Sequence, residues 1–202
     1  MGSSVMARSQ HQKKIILCIS GMAGSGKSTV AKRLARKYGL RYFSGGEALK
    51  ALAGEVGFKL AGRGWWESAE GIRFLKRRKD DFSFDKKVDE KLLELATQGN
   101  VVLDSWAQAW LLKEGFKIWL EASTEERAKR IAERDGTTFD EAFKALKEKD
   151  RLTKIIYEEL YGFSLGEDFS PFDVILDVTM LSEEEVFHTL SLVVERFLYD
   201  VH

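Results

Sequence analysis

"CISGMAGSGKSTVAKRLARKYG", residues 18–39, joins the end of an apolar run to an amphipathic stretch through a glycine-rich turn. Gly21, Gly26, Lys27 and Ser28 satisfy the spacing GxxxxGK[ST], with Gly24 as a further glycine between them. Such a turn lets backbone N–H groups converge on phosphate oxygens, and the helix that follows adds the positive end of its dipole. Lys27 would reach the β and γ phosphates of a nucleotide, and the Ser28 hydroxyl would ligate Mg²⁺. Gly21, Met22, Ala23, Gly24, Ser25, Gly26, Lys27, Ser28 and Thr29 are therefore the candidate ATP site. A chance glycine turn needs neither an apolar strand before it nor an amphipathic helix after it, and both are present.

Outward from this loop, the chain alternates. Five short apolar or β-branched runs, "KIILCIS", "LRYFS", "NVVLD", "FKIWLEA" and "FDVILDV", are separated by helical patterns. Strand and helix in alternation predict an α/β three-layer sandwich of the P-loop NTPase type, with a five-stranded parallel sheet and ligands at the carboxyl ends of the strands. The helix opening at Lys27 is expected to run to Tyr38 and stop at Gly39, which can take positive φ. A second helix near Phe84 places Val88, Leu92, Leu95 and Ala96 on one face and stops at Gly99. Ser123 with Glu126, and Ser182 with Glu185, have capping-box spacing. More than fifty residues separate the second and third runs, far more than a crossover needs. Residues 45–98 are thus read as a helical excursion over the sheet, and 135–168 as a second one, within a single domain covering 13–202. The polar opening, residues 1–12, is read as a disordered or appended leader.

Composition narrows the function classes. Lys plus Arg and Asp plus Glu each total 32, so the formal net charge is zero. No whole-chain field favours nucleic acid or an anionic membrane. The longest early apolar run, 15–19, is too short to span a bilayer. The single cysteine, Cys18, lies in an expected buried strand and fits a reduced cytosol. A soluble, cytoplasmic protein acting as a monomer on a small-molecule nucleotide is the expectation.

Asp104 ends the third run beside the loop, where a carboxylate either holds Mg²⁺ or caps a helix. Arg127, Arg130 and Arg134 fall three and four apart, on one helical face. Arg127 is assigned to solvated salt bridges. Arg130 and Arg134 stand where the helix leads into the second excursion and are read as cations for the moving phosphoryl group. Trp65 and Trp66 lie in the first excursion, with at least one expected to serve packing. Trp106 follows Asp104 at the crevice, where packing and base contact both fit. "LKRRKDD" reads as a solvated face. His11, His188 and His202 carry no metal spacing.

With these parts in order, the chain resembles the nucleoside monophosphate kinases, and among them the archaeal cytidylate kinases. The likeness rests on "ISGMAGSGKSTVAKRLA", "FSGGEALKALA", "GNVVLD", "KIWLEASTEERAKRIAERDG" and "YGFSLGEDFSPFDVILDV", and covers residues 14–197. It implies ATP and Mg²⁺ as donor, CMP or dCMP as acceptor, and catalysis by Lys27, Asp104, Arg130 and Arg134. Ser28 and Asp104 would place the metal. The acceptor would lie over Ser44, Gly45, Gly46 and Lys50, with Trp106, Arg63 and Arg73 as further contacts, under a lid near residues 149–154. Departures from the family pattern are Lys50 where an arginine is usual, Ser105 and Trp106 where many members have Gly-Arg, and Lys149 and Ile156 at lid arginine positions. Lysine offers phosphate a point charge where arginine offers a planar fork. Two alternatives follow from these departures: a kinase of another small acceptor, and a slow ATP-dependent switch or assembly factor.

Overall fold

A computed structural model describes residues 14–62 and 64–199. The expected leader, 1–12, and Arg63 lie outside the described residues. Strands β1 (Ile16–Gly21), β2 (Arg41–Ser44), β3 (Val101–Asp104), β4 (Phe116–Glu121) and β5 (Val174–Asp177) form one parallel sheet in the order β2-β3-β1-β4-β5. Every residue of β1 and β3 is buried. Burial on both faces explains why these segments read as unbroken apolar runs and not as alternating ones.

Strand order positions the site. From β1 the chain turns back toward β2, while from β3 it crosses to β4, so the connections leave the neighbouring strands β1 and β3 in opposite directions. A crevice opens at such a switch point, at the carboxyl ends of the strands. The glycine-rich loop follows β1, and Asp104 ends β3. Parallel pairing of Ile19 with Asp104, and of Ser44 with Asp104, brings all three chain segments to one edge.

Helix α1 (Lys27–Tyr38) covers one face and stops at Gly39 with φ 65°, as its sequence requires. Its residues Val30, Ala31 and Leu34 meet Leu17, Ile19 and Ile118 of the sheet and Leu190 and Val194 of α8 (Glu183–Tyr199). Between β2 and β3 come α2 (Gly45–Glu55), a 3-10 turn (Trp65–Glu67), α3 (Ala69–Asp80) and α4 (Ser83–Gln98). Helix α4 lays Val88, Leu92 and Ala96 against Val101 and Leu103 on the opposite face. A short α5 (Gln108–Leu111) follows β3, and α6 (Thr124–Asp135) and α7 (Phe139–Tyr161) lie between β4 and β5.

Caps set several helix starts. Ser123 Oγ accepts from the Glu126 N–H at 3.2 Å, and Ser182 with Glu185 forms the reciprocal pair. Thr138 with Glu141 forms a second reciprocal box at the head of α7, whereas at Ser123 the backbone N–H donates to Thr179 instead and Glu126 pairs with Arg130. Each satisfies helix-end N–H groups that would otherwise lack a partner, a contribution of about 1 kcal/mol per cap. Cys18, at the centre of β1, is completely buried, and burial pushes its thiol up to about 12. Among the described residues no helix is long and apolar enough to cross a membrane.

One surface expectation fails in this region. Arg78, within "LKRRKDD", is fully buried and forks onto Asp85 of α4, with Nε 3.0 Å from Oδ2. Charge density made the segment look solvated, but Phe74, Leu75 and Arg78 share the buried face of α3.

Candidate active site

The loop between β1 and α1 is held open by glycines. Gly24 has φ 82°, and a Cβ there would lie 2.8 Å from the Arg127 carbonyl oxygen. Gly26, φ 88°, is the N-cap of α1 and has open space where a side chain would stand. The loop that lines the cleft thus carries no side chain at Gly24 or Gly26, as phosphate capture by backbone amides requires. The Ser25 hydroxyl is buried and finds no partner among the described residues.

Arg127 braces this loop from behind. Its Nη1 donates to the Ala23 carbonyl at 3.0 Å, its Nε to Ala122 at 3.2 Å, and its Nη2 to Asp150 of α7 at 2.8 Å. The expectation of a solvated salt bridge is corrected: the side chain is 6% exposed. Spacing alone put it on the face of Arg130 and Arg134, but α6 packs against the loop at that turn, and Arg127 fills the contact.

A cleft of about 710 Å³ runs from this loop to the first excursion. Lys27 points into it, and its ammonium lies 5.5 Å from the centre of the Trp106 ring. Burial pulls the Lys27 pKa down from its usual value, Asp104 opposes that shift, and nearby Lys149 adds to it. Asp104, 2% exposed, accepts from the Tyr42 hydroxyl at 2.8 Å. Burial and the Asp104 charge both raise the Tyr42 pKa, so the phenol keeps its proton and donates. Trp106 is fixed by Nε1 donating to the Gly21 carbonyl at 3.0 Å. Ser28 and Thr29 lie exposed at the head of α1, on the cleft wall.

Arg130 lines one end of the cleft, near Leu181 and Val186. Its Nη2 donates to the Val178 carbonyl at 2.7 Å and its Nε to Glu126 at 3.2 Å. Arg134, half exposed, forks onto Asp135 and reaches Glu67 at 3.1 Å. Glu67 also receives buried Lys149, at 2.6 Å. Lys149, set down from sequence as a weak substitute for a lid arginine, therefore stands inside the cleft wall with a counter-ion.

At the other end, Ser44 caps α2 through the Glu47 N–H at 3.2 Å, and Gly45 and Gly46 line the wall beside it. Two expected acceptor contacts are placed elsewhere. The Lys50 ammonium lies 5.6 Å from the Trp65 ring, and Arg73 pairs with Glu70 and covers Phe58; neither lines the cleft. Lys50 is half-buried, and Arg73 lies on the exposed face of α3, its side chain 68% exposed. Trp65 is buried, with Nε1 donating to the Lys59 carbonyl at 2.8 Å, whereas Trp66 lines the cleft.

The sequence profile of the cytidylate kinase-like family matches residues 16–180. This chain belongs to that family. It is similar to the cytidylate kinase of Pyrococcus horikoshii, at 32% identity over 91% of this chain and 90% of that one. It is similar also to that of Pyrobaculum calidifontis, at 37% over 83% and 86% respectively. Among solved structures, the shikimate kinase of Aquifex aeolicus matches with a TM-score of 0.54, covering 93% of this chain and all of that one at 20% identity. At that identity the likeness is one of fold.

Within this cytidylate kinase-like chain, sequence reading missed Glu67, Asp85, Asp89 and Tyr157, all on the cleft wall. Asp85 and Asp89 are 1% and 3% exposed. A signal existed: each directly follows a core position of α4, Phe84 or Val88, and the two are one helical turn apart. Asp89 accepts from Gln108 Nε2 at 3.0 Å and from the Tyr161 hydroxyl at 2.9 Å. Burial pushes its carboxyl up to about 7, against the pull of those hydrogen bonds.

Proposed function

We propose that this chain is a nucleoside monophosphate kinase that moves the γ-phosphoryl group of ATP onto CMP or dCMP. The observation that carries the reading is the continuity of the cleft: it joins the glycine-rich loop and Lys27 to an aromatic and acidic wall on the first excursion. Donor and acceptor would thus share one enclosure. Membership of the cytidylate kinase-like family supports the choice of acceptor.

In this reading the loop amides and Lys27 hold the β and γ phosphates, and Arg130 steadies the donor near the β5–α8 connection. An oxygen of the acceptor phosphate attacks Pγ, the bond from Pγ to the bridging oxygen breaks, and ADP leaves. No proton need move, because the attacking oxygen is already anionic. Alignment and charge neutralisation supply the rate. Lys149 and Arg134, with Glu67 between them, are the cations at hand on the lid side. Water must be kept from the phosphoryl group, and the two excursions would close for that purpose.

Mg²⁺ fits the residues present. The Ser28 hydroxyl and the Asp104 carboxylate are hard oxygen donors beside the loop, and Mg²⁺ bound with a nucleotide needs only one or two such groups besides phosphate and water. When bound, the ion would neutralise charge on the β and γ oxygens.

A coupled ADP-release assay across all ribo- and deoxyribonucleoside monophosphates tests the proposal. CMP and dCMP are expected to give the highest kcat/KM. Silence on every nucleotide from a folded sample would point to another small acceptor. ATP hydrolysis that no acceptor changes would point to a switch.

A further inference from the structure

Asp85 and Asp89 occupy the same face of α4, one turn apart, and both reach the cleft wall. Their surroundings differ. Asp85 is matched by the guanidinium of Arg78. Among the described residues, Asp89 is hydrogen-bonded only by neutral donors, the Gln108 amide and the Tyr161 hydroxyl. A carboxylate offers about four acceptor directions, and two are used here. Burying a carboxylate without a cation of its own is costly, and a position that served packing alone would be better filled by an aliphatic side chain.

The neighbourhood is shaped for a flat polar ring. Trp66, Trp106 and Tyr157 line the same end of the cleft, with Trp106 and Tyr157 meeting edge to face at 6.0 Å. The carboxylates of Asp85 and Asp89 reach that wall themselves, while their partners Arg78 and Gln108 stand behind them, fully buried and outside the cleft lining. Aromatic walls beside a carboxylate with spare acceptor directions suit a heterocycle that carries its own donors.

From this we infer that Asp89 reads the exocyclic amino group of the acceptor base, separating an amino-pyrimidine from its keto counterpart. The inference rests on the proposed kinase function and deepens it. An amino N–H gives the spare lone pairs of Asp89 a donor. Where Asp89 is ionised, above about pH 7, a keto oxygen in the same place would face the carboxylate, leaving both acceptors unpaired in a desolvated site. Sites built around a buried hydrogen bond reject an analogue lacking the partner far more strongly than apolar pockets reject a missing methylene. Asp89 is thus assigned to specificity, not to the transfer step.

The test measures kcat/KM for CMP, for UMP and for the CMP analogue whose amino group is replaced by hydrogen, in wild type and in Asp89→Asn. Wild type should prefer CMP to either of the others by at least roughly tenfold. An asparagine amide can present either a donor or an acceptor. Asp89→Asn should therefore lower the CMP to UMP ratio by about tenfold or more, with the KM for ATP unchanged. A merely structural role would depress all acceptors together and leave the ratio within about twofold, and that result would overturn the inference. The hydrogen analogue needs no variant: if wild type uses it as well as CMP, the inference fails even should Asp89→Asn not fold. Equal use of CMP and UMP by wild type would sink base reading while leaving the kinase function standing. Inactivity on every nucleoside monophosphate would remove both.

Discussion

Glu67 accepts from Lys149 at 2.6 Å and from Arg134 at 3.1 Å, so one carboxylate from the first excursion holds a cation of the second, on α7, and another on α6, the helix that leads into it. The Lys149 and Glu67 side chains are 6% and 8% exposed, whereas Arg134 is 54% exposed. Most of the stabilisation therefore belongs to the lysine pair, since exposed ion pairs contribute little.

Replacing Glu67 by alanine leaves Lys149 buried without its partner. A loss of about 3 kcal/mol in unfolding free energy is expected, because removing one member of a buried pair strands the other. Urea denaturation would measure it. Loss of less than about 1 kcal/mol would show that Lys149 finds water or another anion instead.

Lys27→Ala should abolish turnover, by roughly a thousandfold or more, as expected when a main cation is removed from a phosphoryl-transfer site. The fold should survive, since Lys27 stands in the cleft and makes no hydrogen bond to the sheet. Circular dichroism and a single-turnover assay would check both halves. A well-folded Lys27→Ala protein with normal kcat would contradict the assignment of the loop.

Arg78→Met strands Asp85 in the core and should destabilise the protein by about 3–5 kcal/mol. The double variant Arg78→Met/Asp85→Leu removes both charges and should recover most of that loss. The two sites touch, so their effects should be strongly non-additive. Simple addition of the two single costs in a thermal or urea cycle would mean that the pair is not coupled as its geometry requires.

Asp89 gives a pH prediction with a definite sign. Its carboxyl is raised from the usual 3.8 to about 7, burial being the main cause and Asp85 adding to it. Tyr161, Gln108 and Arg78 act the other way. An acid whose pKa is higher folded than unfolded costs stability once it must ionise: the cost is absent below about pH 4, grows through the interval to pH 7 and is full above it. Asp89→Asn removes that cost. The thermal midpoint of the variant, minus that of wild type, should therefore be more positive at pH 8 than at pH 5. A difference independent of pH would show that Asp89 ionises normally in the folded chain.

The fold was legible because its determinants are local. Apolar runs of strand length, Gly39 ending α1, and the Ser123 and Ser182 caps all act within a few residues of where they are written. The loop was legible for the same reason: Gly24, Gly26 and Lys27 do their work in one turn. What escaped depends on distant partners. Arg127 reads as a surface charge until α6 is laid against Ala23, more than a hundred residues away. Arg78 became a core residue only because Asp85 faces it from the next helix. Lys50, marked by resemblance, and Arg73, marked as a cation of the first excursion, lie outside the cleft lining, over the rings of Trp65 and Phe58. Charge is visible in a sequence, but whether a cation meets solvent, ring or carboxylate is decided by packing.

Cys18 has a practical corollary. Its sulfur lies in the central strand with no exposed surface, and the thiol is pushed up to about 12, so at neutral pH it offers a labelling reagent neither access nor thiolate. Modification should proceed only through molecules whose sheet has come apart, which makes the native chain its own gauge of global opening. Dyes could likewise be attached at engineered surface thiols on α3 or α7, to follow closure by energy transfer, without first deleting the natural one.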